Sequence, residues 1–150
     1  IAIKDELAKT LEGHIISIEH VGSTSIPNCP AKPIIDIDIV IHGNFEIVKS
    51  LLSTMGYIHE GDLGIKGREA FKYQGKEHLM KHHLYVLEHD ALELKKHLTL
   101  KEHLAKHPED LIIYGTLKKE LAKKFPHDSE SYVNGKSSFI QEIYKMYHLI

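Results

Sequence analysis

A single cysteine, Cys29, leaves this chain of 150 residues with no internal disulfide and no site built from several thiolates. A reducing compartment, the cytoplasm, is the expected home. Long hydrophobic runs are also missing. The longest apolar stretch, Ile34 to Ile41, is broken by two aspartates and falls well short of the roughly 20 residues a membrane helix needs. An excess of one charge is the third absence. Nineteen Lys and Arg stand against 21 Asp and Glu, a formal net charge of −2. Composition therefore offers no general attraction to a long nucleic acid or an anionic membrane, and any contact with a nucleotide must be local. No repeat or low-complexity tract is present. Residue 1 is isoleucine rather than methionine, so the numbered chain is expected to lack its native start, and no signal peptide can be judged from it.

What is there fits one domain, because 42% hydrophobic residues suffice for a core of ordinary size. The 13 histidines are scattered along the chain, unlike a tag. Ile3, Leu7, Ala8 and Leu11 mark one face of an opening helix that Gly13 closes. His14 to Val21 reads as a strand through its β-branched residues and ends in the turn Gly22-Ser23-Thr24-Ser25. Pro27, Pro30 and Pro33 then predict an extended connection to a second strand, Ile34 to Ile41. Asn44 is placed to cap a helix through Met55, with Phe45, Val48, Leu51 and Leu52 inward and Gly56 at its end. Tyr57 to Glu60 predicts a third strand, residues 60–68 a glycine-rich loop, and Ala70 to Gln74 and His82 to Leu87 two more strands. From Asp90 the period turns helical. Leu94, Leu98, Leu104 and Ala105 define one helix ending at His107-Pro108. Leu111, Tyr114, Leu117, Leu121 and Phe125 define a second, and a third, capped by Asp128 or Ser129, carries Phe139, Ile140, Ile143 and Tyr147. The expected class is α+β, a mixed sheet of about five strands with helices packed on it, the C-terminal three on one side.

The second strand carries the chemistry. Alternation sends Asp36 and Asp38 to one face and Ile35, Ile37 and Ile39 to the other. Two carboxylates side by side on so apolar a strand repel each other unless a cation or basic groups compensate them, and their hard oxygens suit Mg²⁺ or Mn²⁺. The bland alternative is a sheet with one solvated face that the aspartates merely mark. Against it stands the turn just before, where Gly22 lets the backbone approach an anion and the hydroxyls of Ser23 and Thr24 with free N–H groups can hold phosphate.

A strand, Gly-Ser, a spacer and then Asp-x-Asp on the next strand resembles the polymerase-β-like nucleotidyltransferases. The ordered set His20-Val-Gly-Ser-Thr-Ser-Ile-Pro, Ala31-Lys32-Pro33-Ile-Ile-Asp36, Gly67-Arg68, His82-His83-Leu84-Tyr85-Val86, Phe125-Pro126, Gly135-Lys136-Ser137 and Phe139-Ile140 is more specific. It is similar, over nearly the whole chain, to the GrpB-like family of predicted nucleotidyltransferases. The resemblance implies a nucleotidyltransferase-like fold. It also implies transfer of a nucleoside monophosphate from a nucleoside triphosphate, ATP being the expected donor, to an unknown acceptor, with Mg²⁺ or Mn²⁺ on Asp36 and Asp38.

One departure stands out: the third carboxylate that the wider superfamily supplies from a later strand has no obvious counterpart. His83, on the same face as Tyr85, is the candidate to replace it as a metal ligand or to accept a proton. Glu88 and Glu77 read as solvated acids near strand ends. Lys32, Lys66 and Arg68 are candidates to hold the triphosphate, joined by Lys118 and Lys136 of the C-terminal helices, with surface lysine as the plain alternative. His20 is placed to orient Ser23 or Asp36.

Two other classes compete. The same fold without catalysis would be a nucleotide-binding or regulatory module. A zinc or nickel hydrolase would gather His78, His82 and His83, although alternation splits the last two between faces. A Walker-type loop is excluded because the turn lacks its second glycine and lysine.

Overall fold

In the computed structural model the described residues are 2–29 and 33–150. Five strands, β1 (Ser17–Val21), β2 (Ile35–Ile41), β3 (Tyr57–Gly61), β4 (Glu69–Tyr73) and β5 (His82–Glu88), form one sheet in the order β1-β2-β5-β4-β3. β2 runs parallel to β5 and the remaining neighbours are antiparallel. Five helices pack on the sheet: α1 (Ala2–Leu11), α2 (Phe45–Thr54), α3 (Leu92–Lys106), α4 (Pro108–Lys124) and α5 (Ser129–Met146). The expected class, α+β with a five-stranded mixed sheet and three C-terminal helices, is the one observed. Among the described residues no helix is long and apolar enough to cross a membrane.

The two faces of the sheet are covered differently. Ile37, Ile39 and Ile41 of β2, with Leu84 and Val86 of β5, pack against Leu7 and Leu11 of α1 and Val48 and Leu52 of α2. Each such residue, fully buried, contributes roughly 1.5–3 kcal/mol. On the opposite face Val40 and Leu87 meet Leu94 of α3. Leu104, Tyr114 and Ile143 tie α3, α4 and α5 together over Ile26, which follows the glycine turn. The aspartate face of β2 is therefore roofed by the C-terminal helices, and the reading of an open, solvated face does not hold.

Several local expectations need correction. The first strand starts at Ser17 rather than His14: the His14 carbonyl is taken by the Asn44 side chain, and Ile16, 55% exposed, joins the sheet only through its N–H to the Val40 carbonyl. Asn44 precedes α2 but makes no side-chain cap: its Nδ2 donates to the His14 carbonyl, and its Oδ1 is buried with no hydrogen-bond partner among the described residues. The turn expected at Gly22 to Ser25 is present as a tight 3₁₀ turn, Ser23–Ser25, and part of the connection expected to run extended after it, residues 30–32, lies outside the described residues. Ala105 is exposed, and the buried positions of that turn of α3 go to His103 and Leu104. His103 is held there between Asp110, at 2.6 Å, and the Tyr147 hydroxyl, at 2.7 Å. Asp128 is the cap of α5, accepting from the Ser131 N–H at 3.1 Å.

Candidate functional site

Antiparallel pairing sets Val21 opposite Asp36, so the end of β1 delivers the glycine turn directly beside the first aspartate. Gly22 takes φ 74°, ψ −176°, and a Cβ there would collide with the Asp36 carboxylate. Only glycine lets the backbone come this close. The turn closes on itself through Ser25, whose N–H and hydroxyl both donate to the Gly22 carbonyl, at 3.1 and 2.6 Å. Thr24 Oγ1 lies 2.8 Å from His20 Nε2, so His20 steadies the turn at Thr24 and makes no contact of this kind with Ser23 or Asp36.

Asp36 and Asp38 share a face, as alternation requires, and each meets one imidazole. Asp36 Oδ1 is 2.9 Å from His83 Nδ1, the residue paired with it on β5. That hydrogen bond, helped by the charge of Asp36 and opposed by partial burial, holds the His83 pKa above its ordinary value. Asp38 is wholly buried, and its Oδ2 lies 2.6 Å from Nδ1 of His97 on α3. His97 Nε2 lies 3.3 Å from Glu93 one turn earlier. Burial is the largest influence on His97 and works against its charge, but hydrogen bonds to Asp38 and Glu93 and the attraction of both carboxylates outweigh it and push the pKa up to about 9. His97 is thus an imidazolium at neutral pH. Asp38 Oδ1 remains buried with no hydrogen-bond partner among the described residues.

Two hollows meet at Asp36, sharing Ser23, Asp36 and Lys136 in their walls. One, of about 280 Å³, adds Thr24, His83 and Lys118. Lys118 is only 6% exposed and donates to Ser23 Oγ at 2.5 Å, and its burial lowers its pKa. Gly135 explains how Lys136 arrives: a Cβ there would collide with Leu121, so the glycine lets α5 press against α4. The other hollow, of about 200 Å³, adds Arg68, Tyr85, His97, Lys101 and Tyr114. Burial raises the Tyr114 pKa to about 12, with a hydrogen bond to Ser23 pulling the other way.

The candidates sort accordingly. Gly22, Ser23, Thr24, Asp36, His83, Arg68, Lys118 and Lys136 line the two hollows, and Asp38 lies beneath them. Lys32 lies outside the described residues. Lys66 and Glu77 are exposed and line neither hollow. Glu88 accepts the Gly43 N–H on both oxygens, at 2.8 and 2.9 Å, which accounts for it as a loop clamp. The three histidines of the zinc reading go separate ways, His78 to Glu6, His82 to Tyr57 and His83 to Asp36. Sequence reasoning missed His97, Glu93, Lys101 and the role of Tyr114. A signal existed for His97, which falls on the same side of α3 as Leu94 and Leu98, at a position where a lone polar side chain calls for a partner.

Comparison with known proteins bears on the family and the fold. The family model described as GrpB protein matches residues 2–146. The chain is 36% identical over 143 residues to the glutamate-rich protein GrpB of Alkalihalophilus pseudofirmus, covering 91% of this chain and 82% of that protein. It is 36% identical over 141 residues to UPF0157 protein YqkA of Bacillus subtilis, covering 92% of this chain but spanning only 40% of that longer relative. The crystal structure of the conserved protein GrpB from Enterococcus faecalis superposes with a TM-score of 0.79 at 29% identity, over 97% of this chain and 90% of that one. None of these names specifies a reaction. The chain belongs to the GrpB family.

Proposed function

We propose that the protein is a metal-dependent nucleotidyltransferase that moves a nucleoside monophosphate from a nucleoside triphosphate, ATP first among them, to an acceptor hydroxyl. The observation that carries this reading is the contact of the Gly22-Ser23 turn with Asp36 on one side and the Lys118 ammonium on the other. A turn hydroxyl, a buried cation and a carboxylate in one place suit a phosphate chain and its counter-ion. Two features fit a divalent ion: the partnerless Asp38 Oδ1, and the glycine cradle beside the other oxygen of Asp36. Asp36 and Asp38 would hold Mg²⁺ or Mn²⁺. Among the described residues no cluster of three or more His, Cys, Asp or Glu side chains stands ready for an ion, so phosphate oxygens and water would complete its shell. When bound, the ion supplies charge neutralisation on the phosphates.

The chain's own residues then divide the work. Ser23 and Lys118 receive the terminal phosphates, with Lys136 between the two hollows. His83 holds Asp36 in place through Nδ1, and His97 does the same for Asp38. The acceptor oxygen forms its bond to the α-phosphorus, the bond to the bridging oxygen breaks, pyrophosphate leaves, and the hydroxyl proton passes to water. The test is calorimetric titration with ATP, GTP, CTP and UTP, with and without Mg²⁺ or Mn²⁺, on the wild type and Asp36→Asn. Metal-dependent binding lost in the variant supports the reading, and no binding of any triphosphate rejects it. A second reading, nucleotide binding without catalysis, draws on one observation: Tyr85 stands opposite Asp38 on β5, where a third acid would be expected, and the nearby Glu93 is already bonded to His97.

A further inference from the structure

The hollow on the Arg68 side differs from its neighbour in its unused charge. Arg68 stands just before β4 on the face that carries Asp38 and Tyr85, and its guanidinium lies over the Tyr85 ring, 4.2 Å from the centroid. It forms no ion pair among the described residues, and its Nε is buried without a hydrogen-bond partner. A buried donor left unsatisfied in this way is unfavourable unless something else accepts from it. Across the hollow Lys101 donates to the His20 carbonyl at 2.7 Å and likewise has no carboxylate partner among the described residues. Leu100 and Ile26 give the same hollow apolar lining. A guanidinium stacked on a phenol, lining the hollow and with no carboxylate partner among the described residues, is a receptor for the paired oxygens of a carboxylate or phosphate.

Direction separates this receptor from the triphosphate. In phosphoryl and nucleotidyl transfer the attacking and leaving oxygens lie roughly in line on opposite sides of the phosphorus. Lys118 lines only the 280 Å³ hollow and draws the leaving pyrophosphate there, so the acceptor enters through the other hollow, the 200 Å³ one that Arg68 lines.

We propose that the Arg68 hollow is the acceptor site and that the acceptor is a small hydroxyl-bearing molecule with a carboxylate or phosphate group held by Arg68 and Lys101. The proposal rests on the nucleotidyltransferase reading and replaces the assignment of Arg68 to the triphosphate. Near-neutral overall charge and a hollow this small suit a small molecule over a polymer. The acceptor hydroxyl would face Asp36, where its oxygen joins the α-phosphorus as pyrophosphate departs and its proton goes to water.

The test uses the whole chain and three probes: glycerate, glycerol 3-phosphate and, as the uncharged control, glycerol. Each is titrated calorimetrically into wild type, Arg68→Gln and Arg68→Lys, and ATP with Mg²⁺ is titrated into the same proteins and into Lys118→Met. The expected result is that one anionic probe binds, glycerol does not, and R68Q weakens that probe tenfold or more with R68K in between. ATP affinity should stay within about twofold in R68Q while it falls about tenfold in K118M, which also shows that R68Q is folded. Whether glycerate or glycerol 3-phosphate binds identifies the anion. Failure of both anions to bind the wild type overturns the proposal, as does loss of ATP affinity in R68Q equal to that in K118M. Absence of ATP binding in the wild type is the separate result that defeats the nucleotidyltransferase reading itself.

Discussion

Asp36 and Asp38 are two residues apart on one strand, and each is bonded to one imidazole, yet they sit in different media. The Asp36 side chain is 32% exposed and its partner His83 56%, while Asp38 is at 0% and His97 at 17%. The exposed pair borders both hollows and can exchange its partner for a ligand at little cost, since ion pairs near water contribute only about 0–1 kcal/mol. The buried pair is locked between β2 and α3: removing His97 strands Asp38 in a low dielectric, and removing Asp38 leaves His97 only its contact with Glu93. Asp36 is therefore the more accessible of the two to what enters the cleft, and Asp38, besides the place proposed for it on the ion, joins the sheet to its helical roof.

The largest expected effect tests that contrast directly. Asp38→Ala should cost about 3–5 kcal/mol of stability, the loss typical of a broken buried pair, and Asp36→Ala less than about 1 kcal/mol, both measured by urea denaturation. Equal costs for the two would break the comparison. The pH dependence of the buried pair comes next. His97 has a folded pKa of about 9 against an ordinary 6.5. A raised folded pKa means that its contribution is complete below about pH 6.5 and disappears as pH climbs through about 9. The amount at stake is on the order of 3 kcal/mol. Thermal melts between pH 6 and about 9.5 should fall in that window for the wild type and be flatter for His97→Gln.

Gly22→Ala sharpens the exposed side. It introduces a Cβ into the Asp36 carboxylate at a positive φ, so about 1–3 kcal/mol of stability should be lost together with metal-dependent ATP binding. A stable variant that still binds ATP would show that the turn can move away from Asp36. The smallest effect is expected from Lys118→Met. Stability should be nearly unchanged, because a desolvated ammonium gives way to a side chain of similar length, while ATP affinity falls about tenfold, or about 1.4 kcal/mol. Unaltered affinity in calorimetry would remove Lys118 from the phosphate site.

Much of the fold was legible because periodicity reports which side of an element is buried. The stripe of α4 and the alternation of β2 were readable for that reason, and so was the common face of Asp36 and Asp38. Element ends were less legible. Ser17 rather than His14 begins β1 because Asn44, thirty residues away, takes the His14 carbonyl, and no local pattern records that bond. His97 escaped notice for a similar reason: its meaning comes from a carboxylate 59 positions earlier.

By itself the sequence determined the class of fold, the glycine turn, the shared face of the two aspartates and the family, since these depend on local conformational preference and on residue order. Only the tertiary structure decided that the aspartate face is roofed, that Asp38 and His97 form its buried pair, and that Lys118 and Arg68 line different hollows. Those outcomes depend on how α3, α4 and α5 pack over the sheet, and contacts between residues far apart in the chain leave no periodic trace in it.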